Sequence, residues 1–143
     1  YKITVDKLND FARSNRVVDR EIDTLIRRLG QGNDLVLDAR LGYYWIHDSF
    51  HVYLTADPDI AAHRIFKDIS DGRRNEDDAT TINQTILSIQ RQAASTQERY
   101  FRDYGIDISN TNMFDLIINT DNKTPDEIVA AVKDSYRIWL RGD

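Results

Sequence analysis

Asp38 and Arg40 stand immediately after the apolar run Leu35-Val36-Leu37. At the carboxyl end of a buried parallel strand, a carboxylate can order the water shell of a Mg²⁺ ion. An arginine beside it can clamp a phosphate with its planar fork of donors. A loop-capping aspartate and a solvated arginine would look the same in sequence, so position alone leaves both readings open.

Further basic residues have the right type for phosphate chemistry. Arg73-Arg74 lies in a polar connector after Gly72, where closing cations could stabilise transferring oxygens, or where Glu76, Asp77 and Asp78 could simply neutralise the pair. Arg91 and Arg99 lie in a long helical pattern. Arginine outnumbers lysine 14 to 5, a bias compatible with bidentate phosphate recognition and also with mere surface preference. His47, His51 and His63 lack metal-ligand spacing, and the absence of cysteine excludes disulfides and thiolate metal sites. Tyr43-Tyr44-Trp45 could stack on a ligand; packing is the simpler use of such a cluster.

Regular elements must hold these residues. Apolar spacing predicts helices from Thr4 to Arg13 and from Asp19 to Leu29, the second with Ile22, Leu25, Ile26 and Leu29 inward and stopped by Gly30 and Gly32. Short apolar runs predict parallel strands at 34–38, 51–55 and 114–119. Asp57-Pro58 opens a helix through Asp68. A charged connector spans 70–78, and a helix from Asp78 to Tyr104 carries Ile82, Ile86, Ile89, Ala93 and Tyr100 at helical spacing until Gly105 ends it. Tyr104-Gly105-Ile106-Asp107 reads as a helix stop with Asp107 bonding local backbone. Thr124-Pro-Asp-Glu127 is a capping box opening a last helix, with Ile128, Val132 and Tyr136 inward. Strands alternating with helices predict an α/β layered domain with a parallel sheet.

The chain of 143 residues carries a formal charge of −5 and shows no apolar run of membrane-spanning length and no signal-peptide pattern. The expectation is a single soluble, cytoplasmic domain that binds neither nucleic acid nor membrane, with local basic clusters for small phosphate ligands.

The stretch from Arg99 to Asp121, RYFRDYGIDISNTNMFDLIINTD, resembles the RY…YGID…YDLVINT signature of cytidylate-kinase-like nucleoside monophosphate kinases. The resemblance extends from Ile3 to Leu140 and implies a three-layer α/β/α P-loop-kinase-like parallel sheet. It also implies small-molecule nucleotide partners, with ATP and Mg²⁺ as donor and cofactor. One domain, 1–143, is expected. Residues 1–32 would form acceptor-binding helices, 33–69 and 105–143 the core, and 70–104 the lid and long helix.

By the same resemblance, Arg40 holds the acceptor phosphate and Asp38 occupies the acidic position that serves Mg²⁺. Ala39 replaces the usual glycine, and Leu41 agrees with the archaeal-like branch, so the bacterial ribose contact does not carry over. Asp19, Arg20 and Asp23 fall where relatives hold the acceptor base; ion pairs on an exposed helix face are the competing explanation. Arg73 and Arg74 fall in the lid, and Thr120 and Asp121 pass near the donor adenine. Arg99 and Tyr100 match the family string. Gln92 and Thr96 replace an arginine and an acid, and Arg91 is one position, about 100°, away from that arginine.

None of the six glycines precedes a lysine, so the 143 residues contain no Gly-x-x-x-x-Gly-Lys-Ser/Thr cradle for ATP phosphates. With Tyr1 first, the chain reads as lacking a preceding strand, P-loop and helix. The implied function is γ-phosphoryl transfer from ATP to CMP or dCMP once that segment is present, the chain as given being inactive. The alternatives are a non-catalytic nucleotide-binding or regulatory domain, or a related small-molecule kinase on the same scaffold.

Overall fold

The computed structural model describes residues 11, 15–74 and 81–142. The element order is α1 (Arg16–Leu29), α2 (Gly42–Trp45), β1 (Val52–Thr55), α3 (Pro58–Ser70), α4 (Ile82–Tyr104), β2 (Leu116–Asn119) and α5 (Pro125–Trp139). Apart from Phe11, the helix predicted from Thr4 to Arg13 lies outside the described residues, as do residues 78–80 of the turn predicted from Asp78.

The chain forms two compact units. One comprises the described residues up to Val18 together with Asp57–Asn110, and the other comprises Asp19–Ala56 with Thr111–Asp143. In the first, α3 packs on α4. The Asp57 carboxylate caps α3 by accepting from the N–H groups of Asp59 and Ile60, with Pro58 opening the helix. Thr81 caps α4 in the same way. Gly105, at φ 69°, ends α4 in the left-handed region, and its N–H donates to Phe101 O. Ala62, Tyr100 and Ile106 are buried here.

In the second unit β1 and β2 pair in parallel, Val52 opposite Leu116 through Thr55 opposite Asn119. Both strands alternate with helices in chain order, which establishes the α/β class. A clasp precedes β1: the His51 backbone N–H donates to Asp115 Oδ2 (2.6 Å), and its Nε2 lies 2.8 Å from Ile46 O and 2.9 Å from Ser49 Oγ. Phe114 packs between Tyr43 (4.7 Å between ring centroids) and Tyr53 (4.8 Å), so Tyr43 is a packing residue. Leu41 and Ile118 are also buried in this unit. The α5 capping box is complete: the Thr124 N–H donates to Glu127 Oε2, and the Glu127 N–H donates to Thr124 Oγ1.

Several expectations are corrected. Residues 34–38 form no strand, and Val36 is 99% exposed. An apolar pentapeptide becomes a strand only when a neighbouring strand takes its backbone hydrogen bonds, and none does so among the described residues. Helix α1 is turned relative to its leucine stripe: Ile26 is buried, whereas Ile22, Leu25 and Leu29 are substantially exposed. Its inward face is Asp19, Asp23 and Ile26, at i, i+4 and i+7. Along α4, Tyr100 is buried and Ala93 is exposed, while the buried face carries Thr85, Ser95, Thr96 and Arg99. On α5, Ile128 and Val132 are half-buried and Tyr136 is exposed, its ring lying near Phe50 and stacked on Trp139.

Candidate functional site

The residues that could hold a nucleotide fall into one set per unit. In the unit containing the strand pair, Asp38 and Arg40 are both exposed and directly precede Leu41, which is 1% exposed. The Leu41 carbonyl accepts from the N–H groups of Tyr44 and Trp45 (3.1 and 3.2 Å), so the backbone next to Arg40 is fastened to α2 while the guanidinium stays in solvent reach. That is a suitable mounting for a phosphate clamp: a fixed base and an accessible fork.

On α1, Arg20 is exposed and Asp23 is 3% exposed, beside equally inward Asp19. The expectation of exposed ion pairs therefore holds no longer for Asp23. A carboxylate is tolerated inside only when it is paired or hydrogen-bonded, and neither Asp19 nor Asp23 is without a partner.

Thr120 and Asp121 follow β2, at the carboxyl ends of the parallel strands where α/β proteins bind ligands. The Thr120 N–H and Oγ1–H both donate to Thr55 O (2.8 and 2.9 Å). Asn119 Nδ2 donates to Asp121 Oδ2, and the Asp121 N–H returns a bond to Asn119 Oδ1, each at 2.9 Å. The Thr120 hydroxyl thus joins the two strand ends, and the local turn around Asp121 is self-satisfied.

In the other unit α4 carries the chemistry. Arg99 is 3% exposed and its Nη1 donates to Ser95 Oγ at 2.9 Å, one turn earlier. Thr96, on the same buried side, is 2% exposed. Arg91 is exposed, so the helix presents Arg91 and Arg99 in different environments. Gln92 Nε2 donates to Ser88 Oγ at 3.3 Å. After the helix, the Asp107 carboxylate accepts from the Ser109 hydroxyl and N–H, which hold it below the usual carboxylate range, and Gln97 Nε2 also donates to it. The expected local bonding of Asp107 is what the structure shows.

Arg73 forms ion pairs with Asp68 (3.2 Å) and Asp71 at the end of α3, and the N–H groups of Arg73 and Arg74 both donate to Asp68 O. Both arginines are exposed. The Arg73 pairs are ones that a phosphate could compete for, because exposed ion pairs are weak.

Ser95 was not singled out from sequence. The available signal was spacing, since Ser95 lies four residues before Arg99.

Among the described residues no group of three acidic or histidine side chains could hold a metal ion. Mg²⁺ in phosphoryl-transfer sites is bound through one or two carboxylates plus substrate phosphates and water, so a single accessible carboxylate such as Asp38 fits that use. No helix among the described residues is long and apolar enough to cross a membrane.

No protein-family model matches the chain. No solved structure matches it either. Curated proteins do. The chain is 34% identical over 125 residues to a cytidylate kinase of Sulfurisphaera tokodaii, covering 85% of this chain and 64% of that enzyme. It is 32% identical over 129 residues to a cytidylate kinase of Sulfolobus acidocaldarius, covering 88% and 66%. It is also 28% identical over 138 residues to an S-adenosylmethionine-dependent nucleotide dehydratase of Lacinutrix mariniflava, covering 96% of this chain and 27% of that protein. The chain therefore spans only part of each relative.

These matches make the chain cytidylate-kinase-like: over most of its length it is similar to nucleoside monophosphate kinases.

Proposed function

We propose that this chain supplies the acceptor-binding part of an enzyme that transfers the ATP γ-phosphoryl group to CMP or dCMP. The observation that carries the proposal is the similarity to cytidylate kinases over 85–88% of the chain, supported by the mounted, accessible Arg40 and the buried Arg99.

In this reading an acceptor phosphate oxygen attacks the γ-phosphorus, the bond to the β–γ bridging oxygen breaks, and CDP and ADP leave. Such a transfer is governed by positioning and charge stabilisation more than by proton abstraction. Arg40 binds the acceptor phosphate, and Asp23 and Arg20 on α1 contribute to base recognition. Arg99, held by Ser95, offsets charge on the transferred group, with Arg91, Arg73 and Arg74 as accessory cations. Asp38 orders water around Mg²⁺, and the backbone of Thr120 and Asp121 meets the donor base. The β- and γ-phosphates of ATP need a cradle of backbone N–H groups that the 143 residues do not encode.

A coupled assay tests the proposal. The chain alone is expected to show no turnover above a no-protein control. With a P-loop segment joined ahead of Tyr1, CMP or dCMP should outrun AMP, GMP and UMP. Equal rates for all four would reject the cytidylate assignment.

A second reading is a non-catalytic nucleotide-binding or regulatory domain on the same scaffold. It is favoured by Gln92 and Thr96 and by the dehydratase relative, in which a region aligned with 96% of this chain makes up 27% of a longer protein. In that case nucleotide binding persists, and no P-loop segment restores transfer.

A further inference from the structure

We propose that Arg27, on α1, is a positioning residue for Arg40, acting through Trp45. The inference rests on the reading of Arg40 as the acceptor-phosphate clamp. The Arg27 guanidinium carbon lies 3.6 Å from the centroid of the Trp45 ring, well inside the range of a cation–π contact. The Tyr44 ring meets Trp45 edge-on, with centroids 4.5 Å apart. Three residues further along the chain, the backbone at Gly30 touches the next residue of the same segment. A Cβ added there would lie 2.5 Å from Ile46 Cγ1 and 2.7 Å from Ile46 Cδ1. The end of α1 therefore rests on α2 and its C-cap residue at two successive points.

Those contacts reach Arg40 through one short backbone path. The Trp45 N–H donates to Leu41 O at 3.2 Å, and Leu41 is almost fully buried. A shift of Trp45 is thus passed to Leu41 and to the adjoining Arg40 backbone. Because Arg27 already occupies a face of the indole, Trp45 serves as the hinge pin of this segment rather than as a stacking surface for a base. The ligand recognised is the 5′-phosphate of a nucleoside monophosphate. Arg27 acts without touching that phosphate or the reacting atoms; it fixes where the fork of Arg40 starts.

Calorimetric titration of the chain with CMP and with cytidine separates positioning from general support. Arg27→Ala is expected to weaken CMP binding by about ten-fold while cytidine binding stays within about two-fold. Arg27→Lys, which keeps a cation over the ring, should recover part of the loss. Arg27→Ala combined with Arg40→Ala should be no worse than Arg40→Ala alone, the signature of two residues acting on one interaction. Trp45→Phe, which keeps an aromatic face and the backbone bond to Leu41, should retain most of the affinity and guards against misfolding of the alanine variant. Equal losses for CMP and cytidine in Arg27→Ala would make Arg27 a structural residue only. A loss in Arg40→Ala with none in Arg27→Ala would overturn the inference and leave the acceptor reading intact. No loss in Arg40→Ala would overturn the acceptor reading itself.

Discussion

Arg99 and Ser95 form a hydrogen-bonded pair within a single turn of α4, with Nη1 2.9 Å from Oγ and both residues buried. A helix normally turns apolar side chains inward, and a guanidinium taken out of water needs partners to remain charged there. Ser95 supplies one of them. A fixed cation on a rigid helix is the arrangement that charge stabilisation during phosphoryl transfer calls for.

Removing that partner has a cost. Ser95→Ala should lower stability by about 1.5–3 kcal/mol, the range for a hydrogen bond to a charged group. Ser95→Thr, which keeps a hydroxyl, should recover most of it. Urea midpoints at constant slope provide the comparison. A Ser95→Ala midpoint equal to the parent's would show that the other partners of Arg99 suffice.

Gly105 ends α4 at φ 69° with open space around it, so an added Cβ meets no atom and only backbone conformation is at stake. Gly105→Ala should therefore destabilise by about 1–2 kcal/mol, and Gly105→Asn by less, since asparagine tolerates the left-handed region better. Thermal unfolding of both variants ranks them. An alanine variant as stable as the parent would mean that the helix stop is set elsewhere.

The helix ends were legible in the sequence because capping is local. Asp57-Pro58, Gly105 and the Thr124–Glu127 box each complete their hydrogen bonds within a few residues, so residue type at fixed spacing is enough. The strand predicted at 34–38 was not decidable in this way, because a strand depends on a partner remote in sequence. The inward face of α1 was misread for a different reason. Apolar periodicity points to Ile22, Leu25 and Leu29, but the buried residues include the carboxylates Asp19 and Asp23, whose burial depends on partners that periodicity cannot name. The candidate site shows the same division. Arg40 and Arg99 were visible as matches to a family string, whereas Ser95 and the Arg27–Trp45 contact require three-dimensional placement.

Acid should reveal two perturbed carboxylates among the described residues. Glu127 is held below 4.5 chiefly by the Thr124 N–H and then its hydroxyl, and Asp107 is held below 3.8 chiefly by the Ser109 hydroxyl. Both are depressed on folding, so their stabilisation is complete above those ordinary values and is lost as pH falls through the lower folded ones. Glu127→Gln should be less stable than the parent at pH 7, with the gap closing as pH drops below 4.5. Chemical denaturation across that range measures it, and a gap independent of pH would contradict the assignment.

Calorimetric titration of CMP into the parent chain and into Arg40→Ala decides whether the chain holds the phosphate of a cytidine monophosphate through Arg40. The expected result is that CMP binds the parent more tightly than AMP, GMP or UMP, and that Arg40→Ala weakens CMP about ten- to a hundred-fold through loss of a charge-assisted clamp, with Arg40→Lys recovering only part. An Arg40→Ala chain that melts like the parent and binds CMP with unchanged affinity would contradict the claim and leave Arg40 as a solvated surface charge.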